Sequence, residues 1–117
     1  MYSKTILIGR LSADPERKTT PQRTSLCNFR MAVERPYKDG DGNRKVDFIN
    51  CIAWRSTGDF VSKYFQKGKA IGVEGVIETR DFTDKEGIKR YTFEINVDQV
   101  FFVGDSKKAD ADDNIRE

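Results

Sequence analysis

Apolar and polar residues alternate along most of this chain with the two-residue period that is typical of β-strands. The alternation is clearest in residues 91–103, where the even positions begin with Thr92, Glu94 and Asn96. The odd positions form the row that is predicted to face a core: Tyr91, Phe93, Ile95, Val97, Gln99, Phe101 and Val103. Residues 69–82 repeat the pattern, with Ile71, Val73 and Ile77 on one face and Glu74, Glu78, Arg80 and Phe82 on the other.

Five segments in all are predicted to form strands: 4–11, 27–33, 45–55, 69–82 and 91–103. The second strand is expected to end before Pro36. Turn-forming residues occupy 39–43 and 84–87, so two hairpins with protruding tips are predicted.

One helix is predicted, with a cap at Ser56 or Thr57 and an end at Gly68. Its apolar stripe consists of Phe60, Val61, Tyr64 and Phe65. Five strands with one short α-helix between the third and the fourth is the element order of an all-β, five-stranded OB-fold Greek-key barrel. An open β-sandwich is the alternative that this order leaves.

The 117 residues suffice for one domain, which is expected at 1–104. In residues 105–117 the apolar content falls to two alanines and Ile115, which predicts a short disordered acidic tail. That tail contains three basic and five acidic residues, so residues 1–104 carry a net charge of +4 although the whole chain carries +2. A mildly basic domain suits a polyanionic partner. No apolar run is long enough to span a bilayer, so a cytoplasmic location without membrane contact is expected.

Residues that could carry catalysis or hold a cofactor are scarce. The chain has no histidine, no glycine-rich phosphate loop and no acidic cluster at metal-ligand spacing. Cys27 and Cys51 lie inside apolar strand patterns without CxxC spacing, which favours buried, inert thiols over a metal site. We therefore expect no enzyme, no cofactor and no metal; OB barrels also include nucleases, but nothing in this sequence suggests an acid, a base or a nucleophile.

Four aromatic residues lie at positions that are not predicted to face the core. In the third strand Ile49, Cys51 and Ala53 fit a narrow barrel interior, which leaves Phe48 and Trp54 facing outward. Phe82 shares the polar face of its strand, and Tyr37 lies at the root of a hairpin tip. These rings either stack unpaired bases or, in the alternative, pack under loops or in a subunit interface.

Cations are interleaved with these rings or lie at strand ends, at Arg10, Arg35, Lys45, Arg55, Lys67, Arg80 and Arg90. Such side chains neutralise phosphates and make binding weaker as salt rises. The combination predicts binding of single-stranded DNA with little sequence preference. An RNA-preferring OB protein and a structural subunit whose aromatics fill protein interfaces are the alternatives.

Several short motifs are together highly specific: Ile8-Gly9-Arg10-Leu11, Asp14-Pro15-Glu16, the run from Asp47 to Arg55, Lys63-Tyr64, Lys67-Gly68, Val73-Glu74-Gly75, Thr79-Arg80, and Gly87 ahead of Arg90-Tyr91. With them the chain resembles the bacterial single-stranded DNA-binding protein family from about Thr5 to Val103. The resemblance places the family's base-stacking aromatics on Tyr37, Phe48, Trp54 and Phe82. It also implies an OB fold, a homotetramer around which DNA wraps, a nucleoid-associated place in the cytoplasm, and roles in replication, recombination and repair.

The C-terminal residues depart from the family's pattern. Longer family members have a low-complexity linker and an acidic tip ending in Ile-Pro-Phe, through which they recruit other proteins. Here Asp112-Asp113-Asn114-Ile115 begins like such a tip, but Arg116-Glu117 replaces its apolar end. The resemblance is therefore to a short form, such as a paralogue for DNA uptake or a phage-encoded version, and it does not extend to recruitment through the tip.

Overall fold

The computed structural model describes residues 1–104, which contain six strands and one helix. The elements in chain order are β1 (Thr5–Leu11), β2 (Glu16–Thr19), β3 (Ser25–Lys38), β4 (Arg44–Trp54), α1 (Arg55–Tyr64), β5 (Ala70–Thr83) and β6 (Lys89–Phe102). The predicted tail at 105–117 lies outside the described residues.

Five of the strands close into a barrel in the order β1, β5, β6, β4, β3. All neighbours are antiparallel except β4 and β6, and β3 returns to β1 through the pairs Arg10↔Ala32 and Leu11↔Met31. The predicted five-stranded OB barrel with one helix is thus confirmed. The helix lies between β4 and β5, the third and fourth barrel strands.

The sequence analysis missed β2, which pairs with the N-terminal part of β3 from Glu16↔Asn28 to Thr19↔Ser25. Its four residues are all exposed and all polar. A strand that buries neither face has no alternation to detect, and its backbone pairing with β3 is what defines it.

The core consists of the inward rows of the barrel strands, with Val61 and Phe65 of the α1 region closing one end. The predicted inward row of β4 is confirmed, since Cys51 and Ala53 are buried and Ile49 packs against the core. Cys27 and Cys51 are free and buried, as expected. Burial disfavours the thiolate and raises the pKa of Cys27 to about 11 and that of Cys51 to about 12.

The predicted core row of β6 is only partly right. Ile95 and Val97 are buried, but Tyr91 and Phe93 are exposed, as is Ile77 of β5. The β5–β6 hairpin extends beyond the barrel, so its apolar residues there have no opposing layer to pack against.

At the other end of β6, a β-bulge reverses the alternation. Gly75 pairs with Val97 whereas Glu74 pairs with Gln99, so Asp98 is the extra residue. Val100 packs against the core as a result, and Phe101, predicted on the core row, is exposed.

Two predicted element ends are wrong. The second predicted strand does not stop before Pro36, because β3 continues to Lys38 with an irregular register between Glu34 and Lys38 that accommodates the proline. The helix begins at Arg55, immediately after Trp54, without a side-chain cap, and ends at Tyr64. Gly68 is not the helix end; it has φ +88 in the loop that follows.

Both predicted hairpin tips are present, and each is organised by an aspartate. Asp39 accepts backbone hydrogen bonds from Asp41 and Asn43 through Oδ1, and Asp84 accepts them from Glu86 and Ile88. These are the local side-chain contacts that make aspartate a turn residue. Among residues 1–104 no helix has the length and apolar content needed to cross a membrane.

Candidate nucleic-acid interface

The outer face of β4 runs from Trp54 through Ile52 and Asn50 to Phe48. Phe48 leaves 52% of its surface exposed, whereas Trp54 is half-buried. Ile52 is buried although it faces outward, because its neighbours in β3 and β6 flank it on both sides. Two rings therefore lie near the ends of one outer face, separated by about 20 Å at the usual rise of a strand.

Phe82 lies on the β5–β6 hairpin, opposite Arg90 in the ladder, and is 48% exposed. Arg80 is two residues earlier in β5 and therefore on the same face. The predicted position of Phe82 on a polar strand face is found in the structure.

Tyr37 is 61% exposed but lies on the other face of the β3–β4 hairpin from Phe48. Its hydroxyl accepts a hydrogen bond from Arg35 Nη1 at 3.2 Å, and Arg35 binds Asp47 with two donors at 3.0 Å. Asp47 precedes Phe48 in an extended strand, so the two side chains point to opposite faces. The structure brings Phe48, Trp54 and the Phe82 arm to one side and leaves Tyr37 on the other.

A groove of about 480 Å³ lies on the outer face between the β1–β2 connection and the β5–β6 hairpin. Its lining residues are Ala13, Asp14, Glu16, Asn28, Phe29, Arg30, Asn50, Cys51, Arg80 and Glu94. The groove therefore lies along β4 between Phe48 and Trp54, and most of its lining residues are polar.

Counting only pairs between residues 1–104, three of the predicted cations form ion pairs. Arg80 Nη2 donates to Glu94 at 2.9 Å, Arg90 Nε donates to Asp84 at 2.8 Å, and Arg35 holds Asp47. The Arg90 hydrogen bond and two backbone N–H groups lower the pKa of Asp84, and the Arg35 hydrogen bond lowers that of Asp47 while it raises the pKa of Arg35.

The other four predicted cations do not line the groove. Arg10 Nη1 donates to the carbonyl oxygen of Gly68 at 2.9 Å, and the backbone N–H of Lys67 donates to Asp14, which lines the groove. Lys45 and Arg55 are exposed at the start of β4 and of α1. Within residues 1–104 the side chains of Lys45, Arg55 and Lys67 form no ion pair.

Sequence reasoning did not select Arg30, although the structure places it at the centre of this surface. Its Cζ lies 4.8 Å from the centroid of the Phe48 ring, and it lines the groove. A signal was available, because Arg30 occupies an outward position of a strand whose inward row is apolar. Proximity to Phe48 was not available, since it depends on the register of β3 against β4.

The arrangement combines flat, exposed rings with guanidinium groups and a polar groove. Rings of this kind stack on unpaired bases, and guanidinium groups bind phosphate. No group of three or more His, Cys, Asp or Glu side chains suited to a metal ion occurs in the part of the chain that the structure describes.

Residues 2–103 match the model of the single-strand binding protein family. A single-stranded DNA-binding protein of Oceanobacillus iheyensis is 40% identical over 103 residues, which cover 88% of this chain and 64% of that protein. Single-stranded DNA-binding protein 1 of Lactococcus lactis is 40% identical over 98 residues, covering 84% of this chain and 65% of the relative. Single-stranded DNA-binding protein 1 of Staphylococcus aureus is 38% identical over 103 residues, covering 88% and 62%.

The chain spans less than two thirds of the length of these relatives. The family match nevertheless covers every strand of the barrel and every ring of the outer face. The family match, together with the closed barrel and its exposed rings, shows that the chain belongs to the single-strand binding protein family.

Proposed function

We propose that this chain binds single-stranded DNA with little sequence preference and catalyses no reaction. The observation that carries the proposal is the exposure of Phe48 and Phe82, 52% and 48%, on the side of the barrel where the groove lies. Large exposed rings are typical of interaction surfaces. The family and the names of its relatives support DNA as the partner.

In this proposal the bases stack on the rings and the cations bind phosphates. Stacking contributes about 1 to 3 kcal/mol per base and tolerates any sequence, because every base has a π-face. The proposed stacking residues are Phe48, Trp54 and Phe82 on the side of the groove, and Tyr37 on the other face of the β3–β4 hairpin. The proposed phosphate contacts are Arg10, Arg35, Lys45, Arg55, Lys67, Arg80 and Arg90.

The ion pairs divide these cations into two kinds. Within residues 1–104, three of these cations can bind a phosphate without first breaking an ion pair to a carboxylate: Lys45, Arg55 and Lys67. They therefore contribute most to the salt dependence of DNA binding. Arg35 uses three of its nitrogens on Asp47 and Tyr37, so its main part is to hold the Tyr37 ring in place.

A homotetramer is part of the proposal. Ile6 and Ile8 of β1 are 60% and 56% exposed, and Val46 is 39% exposed in a groove that it shares with Ile8. Residues Thr5–Gly9 pair with β5 on one side only, since β1 meets β3 only at Arg10 and Leu11. An open strand edge beside exposed isoleucines supports association with further copies.

A protein with this activity would protect unpaired DNA during replication, recombination, repair or DNA uptake. Its place would be the cytoplasm, in association with the nucleoid, and it would need no cofactor. Recruitment of partner proteins through the C-terminal tip is not part of the proposal, and residues 105–117 lie outside the described structure.

The test is fluorescence anisotropy of a labelled oligo-dT strand titrated with the full chain at low salt. We expect saturable binding that weakens as salt is added, and much weaker binding of a duplex of equal length. A matched RNA strand distinguishes the RNA-preferring alternative, and intact strands in the presence of magnesium or calcium dismiss a nuclease. Absence of binding to any single strand at low salt, together with loss of assembly in Trp54→Ala, would support a structural subunit instead.

A further inference from the structure

The guanidinium of Arg30 lies over the Phe48 ring, with 4.8 Å between Cζ and the ring centroid. Arg30 is exposed, and its cross-strand partner in β4 is Asn50. Both side chains line the groove between Phe48 and Trp54. A planar cation is therefore held at one end of the groove by stacking on an aromatic ring.

Within residues 1–104 the N–H donors of this guanidinium have no partner. Arg35, Arg80 and Arg90 direct donors at carboxylates, whereas the side chain of Arg30 forms no hydrogen bond and no ion pair in that range. Its attraction to the Phe48 ring requires no N–H donor, so the donors remain available to a ligand. The ring thus orients the donors without forming hydrogen bonds with them. Because the Arg30 side chain is already ordered, it loses less conformational entropy when a ligand binds.

An arginine side chain has donors only, so it distinguishes bases by their exocyclic groups. Guanine presents the O6 and N7 acceptors as a pair, and thymine presents O4. Adenine has its amino group beside both N1 and N7, so on either edge the amino hydrogens would meet an N–H group of Arg30, whereas unpaired cytosine offers O2 beside N3. A base that enters the groove beside Phe48 is therefore accepted best when it offers two adjacent acceptors, which guanine does and adenine does not.

We propose that Arg30 is a specificity-determining residue, which gives one position of the bound strand a preference for guanine over adenine. The inference rests on the proposed binding of single-stranded DNA by this face. It adds one base-reading contact to a surface whose other contacts, ring stacking and phosphate binding, are indifferent to sequence.

The test compares two oligo-dA strands as competitors for labelled oligo-dT: one is unsubstituted, and the other carries dG at one nucleotide. Both bases are purines, so their stacking areas are similar. Because the chain can shift along the strand, the single dG can reach the groove wherever it lies, whereas the unsubstituted strand offers only adenine. We expect the dG strand to bind about fivefold or more tightly than the dA strand.

Two variants identify the residue. Arg30→Met keeps an unbranched side chain over Phe48 but removes the donors, so the ratio of the two affinities should fall to about one. Arg30→Gln supplies a donor and an acceptor, which suits the N6 and N7 of adenine, so the advantage of the dG strand should also be lost. Lys63→Met is the control, because Lys63 also lies over a ring, that of Tyr64 at 5.3 Å, but on α1; it should leave the ratio unchanged.

Different results would contradict the proposed DNA binding and the proposed role of Arg30. If neither strand competes, the proposed function is wrong. If both strands bind with equal affinity, or if the ratio survives in Arg30→Met and Arg30→Gln, single-stranded DNA binding stands and the reading role of Arg30 is overturned. Circular dichroism and urea denaturation report, independently of DNA, whether each variant has folded.

Discussion

Phe82 and Tyr91 lie on paired strands of the same hairpin, with 48% and 72% of their surfaces exposed, but they face opposite sides. If the face of Phe82 binds DNA, Phe82→Ala should lower the affinity for oligo-dT by about 1 to 3 kcal/mol. Its effect on the free energy of unfolding should be on the order of 1 kcal/mol or less, because the ring is only half-buried. Anisotropy titrations and urea denaturation measure the two effects.

Tyr91→Ala is the matched control for that experiment, since it removes a more exposed ring from the other face. Its affinity for oligo-dT should equal that of the unmodified chain. Equal losses from the two variants would mean that the hairpin as a whole, rather than one of its faces, contacts the strand.

Arg55 has a backbone φ of +54 at the junction of β4 and α1, and Arg23 has φ +67 in the turn before β3. A side chain in this left-handed region costs roughly 1 to 2 kcal/mol, part of which glycine relieves. We expect Arg55→Gly to raise the free energy of unfolding and to weaken DNA binding, with a salt slope smaller by about 0.7 for one lost phosphate contact.

Arg23→Gly should raise the free energy of unfolding by a similar amount and leave DNA binding unchanged, because Arg23 is not among the proposed contacts. Thermal denaturation and titrations at several salt concentrations distinguish the variants. A fully retained salt slope in Arg55→Gly would remove Arg55 from the phosphate-binding set.

At the scale of elements, the β5–β6 ladder depends on its bulge at Asp98. Gly75 is opposite this bulge, and a Cβ atom there would lie 2.2 Å from the backbone oxygen of Asn96. We expect Gly75→Ala to lower the free energy of unfolding by about 1 to 3 kcal/mol, since backbone must move to admit the methyl group.

Gly40 supplies the comparison, because a Cβ atom there meets nothing within 4 Å. Gly40→Ala should change the free energy of unfolding by no more than about 0.5 kcal/mol. If Gly75→Ala is equally harmless, the close approach at the bulge is not a constraint on the fold.

The elements also show what the sequence could and could not predict. Inward rows such as Ile49, Cys51 and Ala53 were predictable because one buried face imposes a two-residue period. Strand β2 was not predictable, because it buries neither face. The exposure of Tyr91 and Phe93 was not predictable either, because alternation does not reveal where a hairpin extends beyond its barrel.

The candidate site also contains some features that the sequence could predict and others that it could not. The outward ring at 82 followed from strand parity, and the ring at 48 followed from parity together with the smaller side chains of the opposite row. The pairs Arg35–Asp47 and Arg80–Glu94 join residues 12 and 14 positions apart, and they depend on the register of two strands. The stacking of Arg30 on Phe48 depends on register for the same reason.

For the whole molecule, the proposed tetramer makes the isoleucines of β1 the decisive residues. Ile8→Glu places a charge on an exposed apolar surface beside an open strand edge and should yield a smaller species in sedimentation velocity. Ile88→Glu is the control, since Ile88 is similarly exposed, 50% against 56%, but lies at a hairpin tip. A monomeric unmodified chain, or an Ile8→Glu variant of unchanged size, would contradict assembly through this surface.

The most direct measurement of base stacking on the outer face is the fluorescence of Trp54, the only tryptophan in the chain. A titration with oligo-dT at low salt should quench its emission in parallel with the anisotropy of a labelled strand, and added salt should restore the emission as the strand dissociates. If the strand binds by anisotropy while the emission of Trp54 stays constant, the bases do not lie against this ring, and the account of the surface is wrong.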